Sequence, residues 1–180
     1  MPMTVFDLLS LVAASDGRVE HRIRLQKEAF LVQWMGLPLF RDVHFTYHHF
    51  GPYSRELSEA LHEAVTSGLL EEHVEQTESV TKYTYELTSR GSELVKRRPA
   101  SDQIAEVVRG LDREPWRALE LAATALYLQE EEALDAPGAM ERALSLKPAC
   151  RAQRATAESI IARLAPHRVE AAAASTPLGR

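Results

Sequence analysis

The chain has one cysteine, Cys150, in 180 residues, which excludes an internal disulfide framework and fits a reducing compartment. Long apolar runs are missing as well. None approaches the ~18 residues that a membrane span needs, and no positive-then-apolar leader pattern opens the sequence. These absences predict a cytoplasmic protein with no membrane partner. The signatures of common chemistries are also missing. There is no HExxH, no CxxC and no paired Cys/His spacing for a metal. No G-x-S-x-G supplies a nucleophile elbow, and neither a Walker loop nor G-x-G-x-x-G supplies a phosphate cradle. The sequence therefore predicts a non-enzyme, with no catalytic residue, no metal and no cofactor. Its 45% apolar and 26% charged residues are ordinary for a globular chain, long enough for one core or one core with a helical appendage.

Basic charge is scarce in the first half. Residues 1–90 hold 8 Lys/Arg against 13 Asp/Glu, a net of −5, whereas residues 91–180 hold 13 of each. Nucleic-acid binders usually carry a basic stripe, because neutralising phosphates releases counterions and supplies most non-specific affinity. The N-terminal half lacks that stripe.

What is present is mostly helical periodicity. Val5, Leu8, Leu9 and Val12 mark a first helix that Gly17 ends, and residues 20–35 a second, with Ile23, Phe30, Leu31 and Trp34 on one face. Alternation from Val43 to Phe50 predicts a short strand, punctuated by Gly51-Pro52. Ser54 is placed to cap a third helix with the apolar stripe Leu57, Ala60, Leu61, Ala64 and Val65, closed by Gly68. LLEEHVEQ, the polar turn TES and VTKYTYEL then predict a β-hairpin with Tyr83, Tyr85 and Leu87 on one face, and Thr88 caps a helix to about Lys96. This order of helix, helix, strand, helix and hairpin is that of a winged helix-turn-helix.

Beyond KRRPASD, Ser101 caps a helix carrying Ile104, Val107, Val108 and Leu111, and Pro115 suits the first turn of the next. That next helix is apolar on several sides (Trp116, Leu119, Leu121, Ala125, Leu126, Leu128), so it should be central. Helices carrying Met140, Ala143 and Leu144, and then Ala157, Ile160, Ile161 and Leu164, complete the pattern, with Pro166 ending regular structure. The fold class expected is mainly α (α+β). The organisation expected is a winged-helix-like domain over 1–98, a C-terminal helical region over 99–166 packed on it, and a mobile tail over 167–180.

Five of the seven histidines fall between residues 21 and 62, which raises a metal site. Strand geometry argues against it: at ~3.3 Å per residue His44 and His48 sit about 13 Å apart, and His48 and His49 point to opposite faces. Cys150 lies between Lys147 and Arg151, which would lower a thiol pKa, although cysteine is also a common small buried hydrophobe. Glu130, Glu131, Glu132 and Asp135 suit a solvated helix end or an acidic contact patch.

The third helix is the candidate binding element, with Arg55, Glu56, Ser58, Glu59, His62, Glu63 and Thr66 exposed. Arg55 could meet a phosphate or a guanine, with Ser58, His62 and the wing residue Lys82 beside it. The glutamates would face phosphates and weaken such a contact. Lys96-Arg97-Arg98 offers partial compensation, and a homodimer would gather scattered cations. The competing expectation is an acidic surface with interleaved aromatics (Phe45, Tyr47, Phe50, Tyr53) that receives a basic protein. Those aromatics equally suit core packing under the wing.

GRVEHRIRLQKEAFLVQWMGLPL followed by FTYHHFGPYSRELSEAL resembles the YwgA-type family and the related Panacea antitoxin domain. Both have an RxxLQK helix, a strand, and a G-P-Y-S or G-P-V turn that opens a helix. YELTSRG, the WRALELAATALYL helix and the LSLKP turn are similar to the YwgA type as well. The resemblance implies a bacterial winged-helix-like protein without a catalytic centre. Panacea-type domains neutralise partner toxins by binding them, and a similar G-P-Y domain occurs in antitoxins of DNA-modifying toxins, where it occupies the toxin's DNA site. The expectation is a regulatory protein, antitoxin- or defence-associated. It would bind a protein such as a toxin or DNA-acting enzyme through Tyr53, Arg55, Glu56, Glu59 and Glu63, with DNA as the alternative partner.

Overall fold

The computed structural model describes residues 3–78 and 81–174. The chain is mainly helical with a small antiparallel sheet, an α+β protein as the periodicity predicts. Its elements are α1 (Met3–Ala14), β1 (Arg18–Glu20), α2 (Arg22–Trp34), β2 (Thr46–His48), β3 (Gly51–Tyr53), α3 (Arg55–Thr66), β4 (Leu70–Gln76) and β5 (Thr81–Leu87). There follow α4 (Ser89–Lys96), α5 (Asp102–Asp112), α6 (Trp116–Glu131), α7 (Ala136–Leu146), a 3-10 stretch Pro148–Gln153, and α8 (Arg154–Ala174). Ser54, Thr88 and Ser101 cap α3, α4 and α5, each accepting from the backbone N–H three residues on. Asp135 does the same for α7, so this member of the acidic run has a structural task.

The sheet runs β1-β5-β4, with Val19 and Glu72 both opposite Tyr85. β1 is too short to register as alternation. It forms because Leu87 donates to the Gly17 carbonyl (2.8 Å) and His21 to that of Tyr83 (2.7 Å), which holds Arg18–Glu20 against β5. The strand expected from Val43 to Phe50 is shorter, Thr46–His48 only. Val43 and Phe45 reach the core from a loop, where Gln33 Nε2 donates to the carbonyls of Phe40 (2.5 Å) and Val43 (2.6 Å). Gly51-Pro52 does not merely punctuate; it begins the returning strand β3, antiparallel to β2 with Tyr47 opposite Pro52.

Two C-terminal expectations also change. Pro115 stands one residue before its helix, at the N-cap of α6. Pro166 does not end regular structure: α8 continues through it to Ala174. The proline removes one backbone hydrogen bond, but side chains on both sides hold the helix down. Leu164 is buried, and Arg168 pairs with Glu130 (2.6 Å) and lies over the Trp34 ring at 4.4 Å. The expected mobile tail thus begins inside α8, and residues 175–180 lie outside the described part, as does Ser79 of the polar turn.

A continuous apolar cluster joins α1, α2, α3 and Tyr85 of the sheet to α5, α6, α7 and α8. The middle of α6 is buried all round, with Ala118, Ala122, Ala123 and Ala125 allowing close approach of its neighbours. Charged groups enter this core at stated points. Arg24 on α2 donates to the carbonyls of Leu111 (3.2 Å), Asp112 (3.1 Å) and Glu114 (2.7 Å), satisfying the C-terminal end of α5. Beside it, Glu28 has no exposed surface. Burial pushes its carboxyl up to about 8, outweighing the lowering by Arg24 at 3.3 Å.

Glu28 stays protonated in the fold while the unfolded chain, with its ordinary value of 4.5, has lost the proton. The contribution of this group is therefore full below about 4.5 and declines as pH rises to about 8. Chemical denaturation at pH 5 and pH 8 should show Glu28→Gln losing less stability over that interval than the wild type, and equal losses would contradict a neutral Glu28.

Candidate functional site

The site assembles where α2 meets the β2–β3 hairpin and the start of α3. Leu25, Gln26 and Lys27 lie on buried faces of α2, and each binds differently. Leu25 packs in the core. The Gln26 carboxamide clasps the backbone of Ser54 in both directions: its Oε1 accepts from the Ser54 N–H (2.8 Å) and its Nε2 donates to the Ser54 carbonyl (2.9 Å). The same Nε2 also donates to Ser58 Oγ at 3.0 Å. Lys27 Nζ, almost wholly buried, donates to the Pro52 carbonyl at 2.6 Å. Burial lowers its pKa to about 7, only partly opposed by Glu120. Gln26 and Lys27 thus hold the G-P-Y-S turn through its main chain, giving partners to the buried Ser54 N–H and Pro52 carbonyl.

The hairpin is held from its other side by α6 and the α7 terminus. Gly51 has φ +84°, and a Cβ there would collide with Thr124 Oγ1 of α6, so only glycine fits. Lys147 forms a buried ion pair with Glu120 (3.1 Å) and donates to the His49 carbonyl. Its ammonium also lies 5.8 and 5.7 Å from the Tyr47 and Phe50 rings. Cys150 Sγ faces Glu120 Oε2 at 3.7 Å, and burial with that carboxylate pushes the thiol up to about 11. Lys147 and Arg151 therefore do not activate Cys150; it is the small buried group of the two readings.

The histidines rearrange from expectation. The chain leaves the strand at His48, so His48 and His49 do not face opposite ways; their rings meet edge to face at 4.8 Å. His48 also lies 5.2 Å from the Tyr53 ring. Among the described residues no three His, Cys, Asp or Glu side chains gather as metal ligands. The aromatics divide. Phe45 is buried edge-on against Phe30 (5.4 Å), Tyr53 is half-buried, and Tyr47 and Phe50 remain 40% and 48% exposed.

On α3, Glu56, Glu59, His62, Glu63 and Thr66 are exposed, and Arg55 is exposed but turned onto Glu59 at 2.8 Å. Ser58 is half-buried and bound to Gln26, which ties it to the turn rather than to solvent. Lys82 is paired with Glu20 at 2.9 Å, and Lys96 with Glu93 at 3.0 Å. Beneath α3 lies a cavity of about 460 Å³ between α1, α2, the hairpin and the sheet. On its sheet side Arg22 Nε donates to Tyr85 Oη (2.5 Å), while Tyr85 Oη and Arg22 Nη2 both donate to Glu72 Oε2 (2.6 and 2.8 Å). Arg22 also lies 3.9 Å from the centre of the Tyr83 ring.

Sequence patterning located α3, its cap and its exposed face. It missed Gln26, Lys27, Glu120 and Lys147, which build the support, and Arg22, Glu72 and Tyr85, which line the cavity. The available signal was polar residues inside an apolar helical stretch: LQKEAFLV has no solvent-facing stripe, so its Gln, Lys and Glu must find partners inside.

No family model matches the chain. It is similar to the uncharacterized protein YwgA of Bacillus subtilis (strain 168), 29% identical over 128 residues, which cover 69% of this chain and 76% of that protein.

Gln26→Leu should lower stability by about 1–3 kcal/mol, because the buried Ser54 N–H loses its acceptor while the Ser54 carbonyl keeps the Ser58 N–H at 3.3 Å. Gly51→Ala should cost on the order of 2 kcal/mol or more from its backbone conformation and the clash with Thr124. Adding Thr124→Ala should recover the steric part alone, so urea midpoints should rank wild type, then the double variant, then Gly51→Ala.

Proposed function

We propose that this chain is a non-enzymatic regulatory protein, antitoxin- or defence-associated, that binds a basic protein partner through the exposed face of α3. The observation that carries this is the stripe Glu56, Glu59 and Glu63 on a helix whose opposite face is anchored in the core. The single cation of that face, Arg55, is already neutralised by Glu59. Tyr53 stands half-buried at the base of the helix, and the exposed Phe50 ring of the hairpin lines the same cavity as Leu57 and His62 of α3. A toxin or DNA-acting enzyme with a phosphate-binding groove has the complementary charge. Carboxylates presented along a rigid helix imitate the anionic repeat such a groove recognises.

A second reading, a sequence-specific DNA-binding regulator, draws support from topology. With the β2–β3 hairpin set aside as an insertion between α2 and α3, the order α1, β1, α2, α3, β4, β5 with strand order β1-β5-β4 agrees with a winged helix over residues 1–98, in which α3 would be the recognition helix and β4–β5 the wing. The Arg55 and Lys82 ion pairs are surface pairs of small worth and would open for phosphate. The carboxylates of α3 weigh against this reading and favour the first.

A tagged full-length chain should retain one partner from nuclease-treated lysate of its own cell, and the partner's contact surface should be basic. Triple replacement of Glu56, Glu59 and Glu63 by Gln should abolish capture without altering the circular dichroism spectrum. Retardation of DNA from its own upstream region, falling steeply with salt and lost in Arg55→Ala, would instead establish the second reading.

A further inference from the structure

The cavity beneath α3 has the dimensions of a small-molecule site: its 460 Å³ falls in the ~300–1,000 Å³ span of such pockets. Its walls are largely apolar, with Leu8, Leu25 and Leu57 fully buried behind them and Leu61 and Val65 nearer the opening. The polar lining is unbalanced. Arg22, Lys27, His48 and His62 bring hydrogen-bond donors and two basic side chains against one carboxylate, Glu72, which is paired with Arg22 and Tyr85. This is the reverse of the acidic outer face of α3.

We propose that this cavity binds a small organic carboxylate with an apolar body, aromatic or short-chain aliphatic, its carboxylate at the Arg22 side and its body against the leucines. Arg22 suits that task. It is half-exposed and its guanidinium lies over the Tyr83 ring; Nε is taken by Tyr85 and Nη2 by Glu72, while Nη1 donates to no group among the described residues and can serve a ligand carboxylate. The partially neutral amine of Lys27 is a second group able to take up a proton as negative charge arrives. The site rests on the cavity and its lining alone, so it stands or falls separately from the protein-partner reading.

Isothermal titration of the full chain tests it with sodium phenylacetate, sodium octanoate, benzyl alcohol and inorganic phosphate. At least one of the two carboxylates should saturate a single site. Benzyl alcohol, which has the body without the charge, should bind at least tenfold more weakly, and phosphate should give no saturation. Arg22→Gln, at a half-exposed position, should weaken the carboxylate at least tenfold, and Val65→Trp, which places an indole at the opening, should do so by steric exclusion. Circular dichroism identifies any variant that fails to fold, and the half-exposed Arg22→Gln then decides. Failure of both carboxylates to saturate, benzyl alcohol binding as tightly as phenylacetate, or unchanged affinity in Arg22→Gln would overturn the proposal.

Discussion

The two-way hydrogen bonding between the Gln26 side chain and the Ser54 main chain is the interaction on which the rest of the site depends. It fixes the last residue before α3 in extended geometry, the conformation in which the Ser54 hydroxyl can cap the helix. One amide side chain therefore ties the start of α3 to α2. The exposed stripe of α3 and one wall of the cavity lie on the helix anchored in this way. A leucine at position 26 would fill the same space and leave the turn unspecified, which is the sense in which a buried polar group confers specificity beyond stability.

The second layer of constraint is electrostatic. Lys27, Glu120 and Lys147 place ionisable side chains inside the core around a short hairpin, where burying such groups costs solvation. They are retained because main-chain carbonyls of the turn need donors: Pro52 receives one from Lys27 and His49 one from Lys147. A core of leucines alone could not satisfy those oxygens. The arrangement also explains why Cys150, despite flanking cations in the sequence, is a poor nucleophile. The nearest charged oxygen belongs to Glu120, and it disfavours a thiolate.

Much of the helical framework was legible from periodicity and caps, because α3, α4 and α5 each combine a one-sided apolar stripe with Ser or Thr at the start. The short strands were not. β1 and β3 span three residues each, too few for alternation to show; β1 takes its partner from the distant β5, and β3 pairs with β2 across the two-residue turn His49-Phe50. Pro166 misled for a related reason. Its local preference is to stop a helix, but tertiary anchors at Leu164 and Arg168 outweigh one lost hydrogen bond. At the site, the exposed residues of α3 could be read directly. The residues that position them could not, since nothing in a linear pattern says that Gln26 reaches residue 54 or that Lys147 reaches residue 49.

The fit of Gly51 against Thr124, with the Lys147 contact to His49, carries a consequence for how this molecule can be divided. The turn that opens α3 is a composite made by segments seventy to a hundred residues apart in the chain. Residues 1–98 alone lack Thr124 and Lys147, and with them the contacts that close the outer side of this turn. Whatever alters the seating of α6 or the end of α7 is felt at the hairpin, and the C-terminal half acts as the template on which the N-terminal site is cast.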